Sequence, residues 1–404
     1  MTHIKGIYIA LAAVLLSWVC APAIDVITFN VNPIAYNNYK SWTPDKALLA
    51  LSGNNIMALV SLGAAYHSGE GVSQDRHKAF ELFKLGADSK DVVGMFNYAL
   101  YLSKGYCSEP DNAMAEKILT EVIKINPTFY SAYFLLGNIY QKGGSGIDKD
   151  YQKAFKVWED LSRFPDSGQF GRLNMASLYF EGKGVNADLE KAKNLIQGDA
   201  ESGWRPAQSR LGEILAFEKQ YQEAEKWYSK LYENSNPATK AMACYYLGSL
   251  YAEREDNAQS YQKALEFYRE GSSKNMSCKY KLAILLRDGL GAEKNQVESD
   301  KLFLEAADAG LSQAAFEVAT RYYNGTGETQ DFGKAVIYFK KVLEGEEYNP
   351  NSVNAEACKK LSACYRFGRG VERNEAIADE YMNRGAGLGD PDAEEIMKWL
   401  DRPQ

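Results

Sequence analysis

A short pattern recurs nine times along this 404-residue chain: one small residue is followed three and four positions later by large apolar residues. The copies begin at Ala79, Ala115, Ala154, Ala192, Ala224, Ala264, Ser299, Ala335 and Ala378. Consecutive copies are 32 to 43 residues apart, a spacing typical of a solenoid in which each repeat packs on its neighbours. A single core of this size would be unusual, since cores stop growing at about 250–300 residues. The pattern therefore predicts stacked repeats.

Each unit also has an earlier half, in which a large apolar residue is followed directly by a small residue and, three positions later, by a second large one. The first large residues are Leu62, Leu136, Met175, Leu211, Leu247, Leu282, Val318 and Leu361. This spacing predicts one face of an α-helix. The small residue, for example Gly137 or Gly248, would let the second helix of the pair approach closely.

A glycine turn separates the two halves. Its copies are Gly69-Glu70-Gly71-Val72, Gly144-Ser145-Gly146-Ile147, Gly182-Lys183-Gly184-Val185, Gly289-Leu290-Gly291-Ala292, Gly325-Thr326-Gly327 and Gly368-Arg369-Gly370-Val371. Glycine adopts positive φ readily and ends helices. Four residues after the second glycine comes an Asp or Asn, suited to capping the next helix. Because the turn recurs between helices without a preceding strand, it is not a dinucleotide-binding loop.

Together these elements resemble the Sel-one-like repeat, a relative of the tetratricopeptide repeat. The segments beginning at Asp75, Asp188 and Asp331 match its Asp-x-x-Lys-Ala signature, and the resemblance covers about residues 45–400. Units near Cys107 and around residues 217–220 and 253–258 lack the glycine pair and are closer to plain tetratricopeptide repeats. The resemblance implies an all-α, right-handed solenoid of about nine two-helix repeats, with the first helices lining a concave inner surface.

The termini predict further organisation. Lys5, the 13-residue apolar run over residues 7–19 and Ala21-Pro22-Ala23 together are typical of a signal peptide over residues 1–23. A retained membrane anchor is the alternative. Residues 24–43 lack a helical period and predict an extended arm, either docked on the solenoid or a loose tether. Residues 44–404 form the predicted solenoid, with half-repeats at about 44–52 and 391–400. We therefore expect an exported chain, periplasmic or secreted.

The net charge limits the kinds of partner that the chain can bind, and the cysteine content limits its disulfides. A net charge of −7 argues against a nucleic acid partner. Five cysteines follow the signal segment, so at least one is unpaired within the chain. Cys358 and Cys364 would lie on different faces of one helix and cannot bond each other there. A disulfide between Cys244 and Cys278 is one interpretation, and two buried thiols is the other.

Residues suited to catalysis or metal binding are scarce. Ser260 and Lys263 have the Ser-x-x-Lys spacing of serine enzymes that act on β-lactams, but the companion motifs are missing. We interpret Lys263 as part of the repeat. His67 and His77 are the only histidines after the signal segment, and without a cysteine cluster they predict two surface side chains rather than a zinc site. We expect no enzyme activity, cofactor or metal.

Aromatic residues on the first helices give the best candidates for a binding face. They are Tyr98, Tyr101, Tyr130, Tyr133, Tyr245, Tyr280, Phe316 and Tyr323. Tyrosine is favoured at interfaces because it combines apolar area with a hydroxyl group. The same rings could stack on sugars of a cell-envelope glycan. The alternative is that they fill the gaps between repeats.

The function predicted from these features is an exported scaffold or adaptor that binds a macromolecular partner, most simply a protein, in its concave groove. One alternative is a structural component of cell-envelope or exopolysaccharide assembly that binds glycan. Another is a secreted effector that binds a host factor. The identity of the partner does not follow from the sequence.

Overall fold

The computed structural model describes residues 56–233, 236–254, 258–326, 329–344 and 351–388. Within these ranges the chain forms eighteen α-helices and no strands, apart from one isolated bridge between Gly144 and Ile147. The predicted signal peptide, the arm and both half-repeats lie outside the described residues. Among the described helices, none combines the length and apolar character needed to cross a bilayer.

The eighteen helices alternate as the first and second members of nine pairs. The first helices are α1 (Ile56–Ser68), α3 (Val92–Lys104), α5 (Tyr130–Lys142), α7 (Gly168–Glu181), α9 (Arg205–Phe217), α11 (Pro237–Glu253), α13 (Met276–Asp288), α15 (Ser312–Asn324) and α17 (Asn351–Phe367). The second helices are α2 (Arg76–Asp88), α4 (Asn112–Ile125), α6 (Tyr151–Ser162), α8 (Leu189–Glu201), α10 (Tyr221–Glu233), α12 (Ala258–Gly271), α14 (Gln296–Asp308), α16 (Phe332–Glu344) and α18 (Glu375–Gly387). The predicted all-α fold of about nine two-helix repeats is confirmed. Its right-handed sense stays a prediction.

The described residues divide into two compact units, 56–214 and 215–388. Consecutive helices pack side by side over α1 to α8 in one unit and over α10 to α18 in the other. A buried apolar core extends over residues 60–178 in the first unit and 283–364 in the second. Some successive first helices also contact each other directly, as α3 contacts α5, α11 contacts α13, and α15 contacts α17. The first helices are therefore the more closely packed layer of each unit.

Close packing within a pair depends on the small residues of the repeat. The alanines that open the second-helix pattern, such as Ala79 and Ala154, are fully buried. A Cβ atom built on Gly137 would lie 2.5 Å from the Trp158 ring, and one on Gly248 would lie 2.6 Å from the Tyr268 ring. The predicted reason for a small residue is confirmed at both positions.

Side-chain caps start the second helices. Asp75, Asp150 and Asp188 each accept a hydrogen bond from the backbone N–H three residues later, at 3.0, 2.8 and 2.9 Å. Asn295 and Asn374 do the same at 3.1 Å. These bonds satisfy N–H groups that have no partner inside the helix, as the sequence predicts.

The connection between α5 and α6 differs from the prediction. Helix α5 is capped by Gly143, which has a positive φ of 64°, and not by Gly144. This connection is one residue longer than its counterparts. The Gly144–Ile147 bridge and Ser145, whose φ is 52°, accommodate the extra residue.

The five described cysteines are free thiols, and Cys107 is the one that is not buried. Cys244 and Cys278 both lie against Gly271: a Cβ atom there would be 2.9 Å from Cys244 Cβ and 2.6 Å from Cys278 Sγ. Burial raises the pKa of the Cys244 thiol to about 11. Of the two interpretations of this pair, buried thiols describe the structure.

Candidate functional site

The serine and lysine with enzyme-like spacing have structural roles. Ser260 is buried on α12, and Lys263 Nζ lies 4.8 Å from the centre of the Tyr251 ring. Corresponding lysines in other repeats lie over the corresponding tyrosines, for example Lys78 over Tyr66 at 5.1 Å. In the described part of the chain, no three His, Cys, Asp or Glu side chains form a group that could hold a metal ion.

His67 is not the surface side chain that the sequence predicts. It is 8% exposed, and its Nδ1 lies 2.5 Å from the Tyr101 hydroxyl oxygen. The prediction was wrong because the last turn of α1 faces α3, where the buried Tyr101 ring covers the imidazole edge-on. His77 is exposed, as expected.

Three of the eight predicted aromatic residues are buried: Tyr101, Tyr133 and Tyr245. Tyr101 packs on Phe83 and Tyr133 on Phe164, each with ring centres 5.3 Å apart. The Tyr133 hydroxyl donates a hydrogen bond to the Pro127 carbonyl. The alternative interpretation, that aromatic residues fill the gaps between helices, describes these three.

The other five predicted residues, Tyr98, Tyr130, Tyr280, Phe316 and Tyr323, are half-buried. Four of them lean on aromatic residues of second helices: Tyr98 on Phe80, Tyr280 on Phe303, Phe316 on Phe339, and Tyr323 on Phe332, with ring centres 5.2 to 6.0 Å apart. Burial, reinforced by Asp166, raises the pKa of Tyr130. A binding role for the five half-buried residues stays a prediction.

A different surface of the first helices can be defined from the position of each residue around its helix. We call the large residue just before the small one the motif residue; in α3 it is Tyr98, followed by Ala99. With 3.6 residues per turn, the positions one before, two after and six after the motif residue lie together, opposite the side that carries the motif residue. We call this side of the first helices the first-helix face.

In the unit 56–214, the first-helix face carries three asparagines: Asn97 on α3, Asn138 on α5 and Asn174 on α7. Each donates an Nδ2 hydrogen bond to the backbone carbonyl four residues earlier, at 2.9, 2.9 and 2.8 Å. Asn97 is 6% exposed, and the other two are half-buried. At one end of this face, Lys104 and Lys142 occupy the same position on neighbouring first helices.

In the unit 215–388, the same face carries charges of both signs. Lys281 on α13 and Glu317 on α15 precede their motif residues directly, and Arg287 lies 3.5 Å from Glu317. Burial raises the pKa of Glu317 and lowers that of Lys281, while Arg287 and Glu253 oppose these shifts. Both side chains are only half-buried. Surrounding protein therefore removes water from their charged groups without enclosing them.

On this face, each unit presents half-buried polar groups that are not part of the repeat pattern, which suits recognition of another molecule. Sequence reasoning missed these residues because it searched for aromatic anchors. Counting from the motif residue of each first helix would have found them.

The family model of the Sel1 repeat matches eight segments of the chain. These are residues 56–91, 131–156, 171–197, 206–236, 241–276, 277–311, 312–342 and 355–390. Residues 92–130 are unmatched, and they contain the unit near Cys107 that lacks the glycine pair.

The chain is also similar, at low sequence identity, to individual proteins. Over 269 residues, or 64% of the chain, it is 23% identical to chitin synthase regulatory factor 3 of Schizosaccharomyces pombe, and it spans only 28% of that protein's length. A Sel1 repeat protein from Oxalobacter formigenes is 21% identical, with a TM-score of 0.48, over 80% of this chain and 90% of its own. A protective antigen of uropathogenic Escherichia coli with an SLR fold is 22% identical, with a TM-score of 0.42, over 89% and 82%.

Proposed function

Since the chain belongs to the Sel1 repeat family, whose members mediate protein–protein interaction, we propose that it is an exported scaffold that holds a protein partner on its first-helix face. The observation that carries this proposal is made in each unit by itself: half-buried polar side chains lie on that face, Asn138 and Asn174 in the unit 56–214, and Lys281 and Glu317 in the unit 215–388. A partner that hydrogen bonds to such groups is recognised by charge and geometry as well as by apolar area.

Export is the part of the proposal that rests on sequence alone. Lys5, the apolar run over residues 7–19 and the small residues Ala21 and Ala23 support a cleaved signal peptide. The mature scaffold would then work in the cell envelope or outside the cell. The proposal gives the chain no catalytic step.

A second candidate is a component of polysaccharide assembly. The similarity to a chitin synthase regulatory factor favours it, because that relative is named for a polysaccharide synthase. Half-buried tyrosines such as Tyr98 and Tyr130 would suit stacking on sugar rings. As such a component, the chain would bind the glycan or the synthase that makes it.

Crosslinking in the native cells, followed by capture of the C-terminally tagged chain and mass spectrometry, tests the proposal. We expect the chain in the envelope or medium, with one dominant crosslinked protein. A variant with Leu15→Arg, which interrupts the apolar run, is the control and should stay inside the cell without that partner.

Recovery of glycan fragments without a protein would favour the second candidate. Retention of the unmodified chain inside the cell, at the level of the Leu15→Arg control, would contradict export. Absence of any dominant crosslinked protein or glycan would contradict both functions.

A further inference from the structure

We propose that the junction between the first two repeats is an acid-sensitive latch, in which protonation of His67 breaks its contact with Tyr101 and loosens α1 and α2 from α3. The junction consists of the last turn of α1, the first residue of α2, the buried Tyr101 of α3 and the turn over residues 105–107. All of these belong to the unit 56–214. The latch needs no partner, so it goes beyond the proposed scaffold function.

This junction is built differently from the regular ones. After α7, Lys183 of the glycine turn lies 5.6 Å from the centre of the ring of Tyr151, the first residue of α6 in the preceding repeat. After α3 the two partners are exchanged: the ring is Tyr106 in the turn, and the cation is Arg76 at the start of α2, 4.8 Å from the ring centre. The ring in the turn therefore reaches back to α1, and its centre lies 5.9 Å from that of the His67 ring.

A side chain also replaces the second glycine of the turn. Counted from the glycine that caps the first helix, Cys107 stands where Gly184 stands in the turn after α7. Gly184 lies directly against the backbone of Tyr151, whereas Cys107 donates an Sγ hydrogen bond to the Arg76 carbonyl at 3.2 Å. The junction lies where the Sel1 repeat model leaves residues 92–130 unmatched. Its contacts are therefore not part of the repeat pattern.

His67 is enclosed by aromatic rings and largely removed from water. It is 8% exposed, and the Tyr101 ring covers it edge-on, with ring centres 5.6 Å apart. Burial raises the pKa of the Tyr101 hydroxyl, so this group keeps its hydrogen at neutral and acidic pH. When the neutral imidazole carries its own hydrogen on Nε2, the Tyr101 hydroxyl donates to Nδ1 over 2.5 Å. Neutral His67 is then the hydrogen-bond acceptor for Tyr101.

A proton on His67 would undo this arrangement. The imidazolium carries hydrogens on both ring nitrogens, so the Tyr101 hydroxyl can no longer donate to Nδ1. Among the described residues this hydroxyl has no second hydrogen-bond partner, and Tyr101 is fully buried. A buried donor without an acceptor costs free energy, and so does a charge that is removed from water. Opening of the junction relieves both costs.

The charged groups near the junction, among the described residues, are Asp75, Arg76 and Glu81. All three act electrostatically on the Cys107 thiol, and Arg76 also acts on Tyr101. The Asp75 carboxylate is engaged elsewhere, because it accepts the backbone N–H of Lys78 and lies 3.5 Å from its ammonium group. Arg76 has the same charge as an imidazolium, but it is exposed and solvent screens it. Burial is therefore the main cause of the acid sensitivity, and Arg76 adds to it.

The direction of the pH effect follows from proton linkage. A histidine exposed by opening has an ordinary pKa of about 6.5, whereas the closed junction disfavours the protonated form. Below about pH 6.5 the open form therefore binds more protons, and acid shifts the equilibrium toward it. With His67 neutral in the closed form, the opening equilibrium rises about thirtyfold between pH 7.5 and pH 5.0.

Hydrogen exchange with mass spectrometry at pH 7.5 and pH 5.0 tests the latch on the purified mature chain. Rates are corrected for the pH dependence of exchange in the unfolded chain. We expect peptides from α1 and α2 to open about thirtyfold more at pH 5.0, and peptides from α5 and α6 to change less, because local segments open separately. An equal change in both sets of peptides, or no change in α1 and α2, would overturn the proposal.

The two histidines of the mature chain provide a test variant and a matched control. Gln accepts a hydrogen bond but does not titrate, so His67→Gln should remove most of the pH dependence from α1 and α2. His77→Gln, at an exposed position ten residues later, should keep the pH dependence of the parent. A His67→Gln chain that opens on acidification as the parent does would refute the latch.

Tyr101→Phe provides a second test, which also applies where circular dichroism shows that His67→Gln does not fold. The ring remains and the hydroxyl is removed, so α1 and α2 should open more at pH 7.5 and gain less on acidification. Opening identical to that of the parent at both pH values would show that the hydrogen bond to His67 does not hold the junction. These measurements use no partner, so the latch can fail while the scaffold function stands, and the reverse.

Discussion

At the scale of single residues, the Trp158 ring controls how closely α5 and α6 approach each other. The ring is fully buried, and it lies flush against the backbone of α5 at Gly137, where any side chain would meet it at 2.5 Å. An alanine there cannot be accommodated unless the ring or the helix moves. The same arrangement recurs at Gly248 against Tyr268.

We expect Gly137→Ala to lower the free energy of unfolding by about 1–3 kcal/mol, because it overpacks this contact. The control is Gly198→Ala on α8, an exposed helical glycine with no atom within 4 Å of the added Cβ. There the substitution should raise stability by about 0.5–1 kcal/mol, since alanine favours the helix. Urea unfolding of both variants checks the pair. A Gly137→Ala chain as stable as the parent would contradict the account.

The structural role of some residues could be predicted from the sequence, and that of others could not. Gly137 is predictable because its role follows from spacing within one repeat. His67 is not, since its burial depends on Tyr101, 34 residues later, reaching back over α1. Asn138 and Asn174 were not among the predicted binding residues, because a polar residue between apolar ones is expected to face solvent. The sequence does not show that the surrounding protein buries half of each side chain.

At the scale of elements, the glycine turn joins successive repeats as well as ending helices. A Cβ atom on Gly184 would lie 2.5 Å from the backbone of Tyr151, the first residue of α6 in the preceding repeat. Gly291 meets the backbone of Tyr261 at the same distance. The second glycine of the turn is therefore required by two constraints, a positive φ and direct contact between backbones.

Comparing two glycines of one turn isolates the second constraint. Gly182 and Gly184 both have positive φ, 64° and 72°, but a Cβ on Gly182 would come no closer than 3.2 Å to a side-chain atom, that of Ala187. We expect Gly182→Ala to cost about 1–2 kcal/mol of unfolding free energy from the backbone alone. Gly184→Ala should cost about 1–3 kcal/mol more, through the displaced neighbour. Equal losses in urea unfolding would show that the contact between repeats contributes nothing.

Helix starts and ends were largely predictable, because Asp or Asn caps and turn glycines mark them. The contact between Gly184 and Tyr151 was not, since it joins segments of different repeats whose spacing no local pattern encodes. In the longer turn before Asp150, the glycine that ends α5 was predicted one residue too late, again because packing decides its position. Gly143, Gly144 and Gly146 all fit a glycine turn, and only packing selects the one that ends α5.

At the scale of the whole molecule, the nine repeats follow from the period of the sequence, and no comparable pattern identifies the partner. Eight repeats match one family model, which establishes the class of scaffold. The first-helix face carries asparagines and a lysine pair in the unit 56–214, and side chains of both charges in the unit 215–388. These residues lie outside the repeat pattern, so specificity for a partner would come from them rather than from the residues that set the fold.

Site-specific photocrosslinking in native cells can show which side of the repeats holds the partner. A photoreactive amino acid is placed at Asn174 or Thr320, on the first-helix face of the two units, or at Leu85 or Ile337, which are exposed on second helices. We expect one protein to crosslink from the first-helix positions and not from the second-helix positions. Crosslinking only from Leu85 or Ile337 would contradict it, because the partner would then bind the opposite side of the repeats.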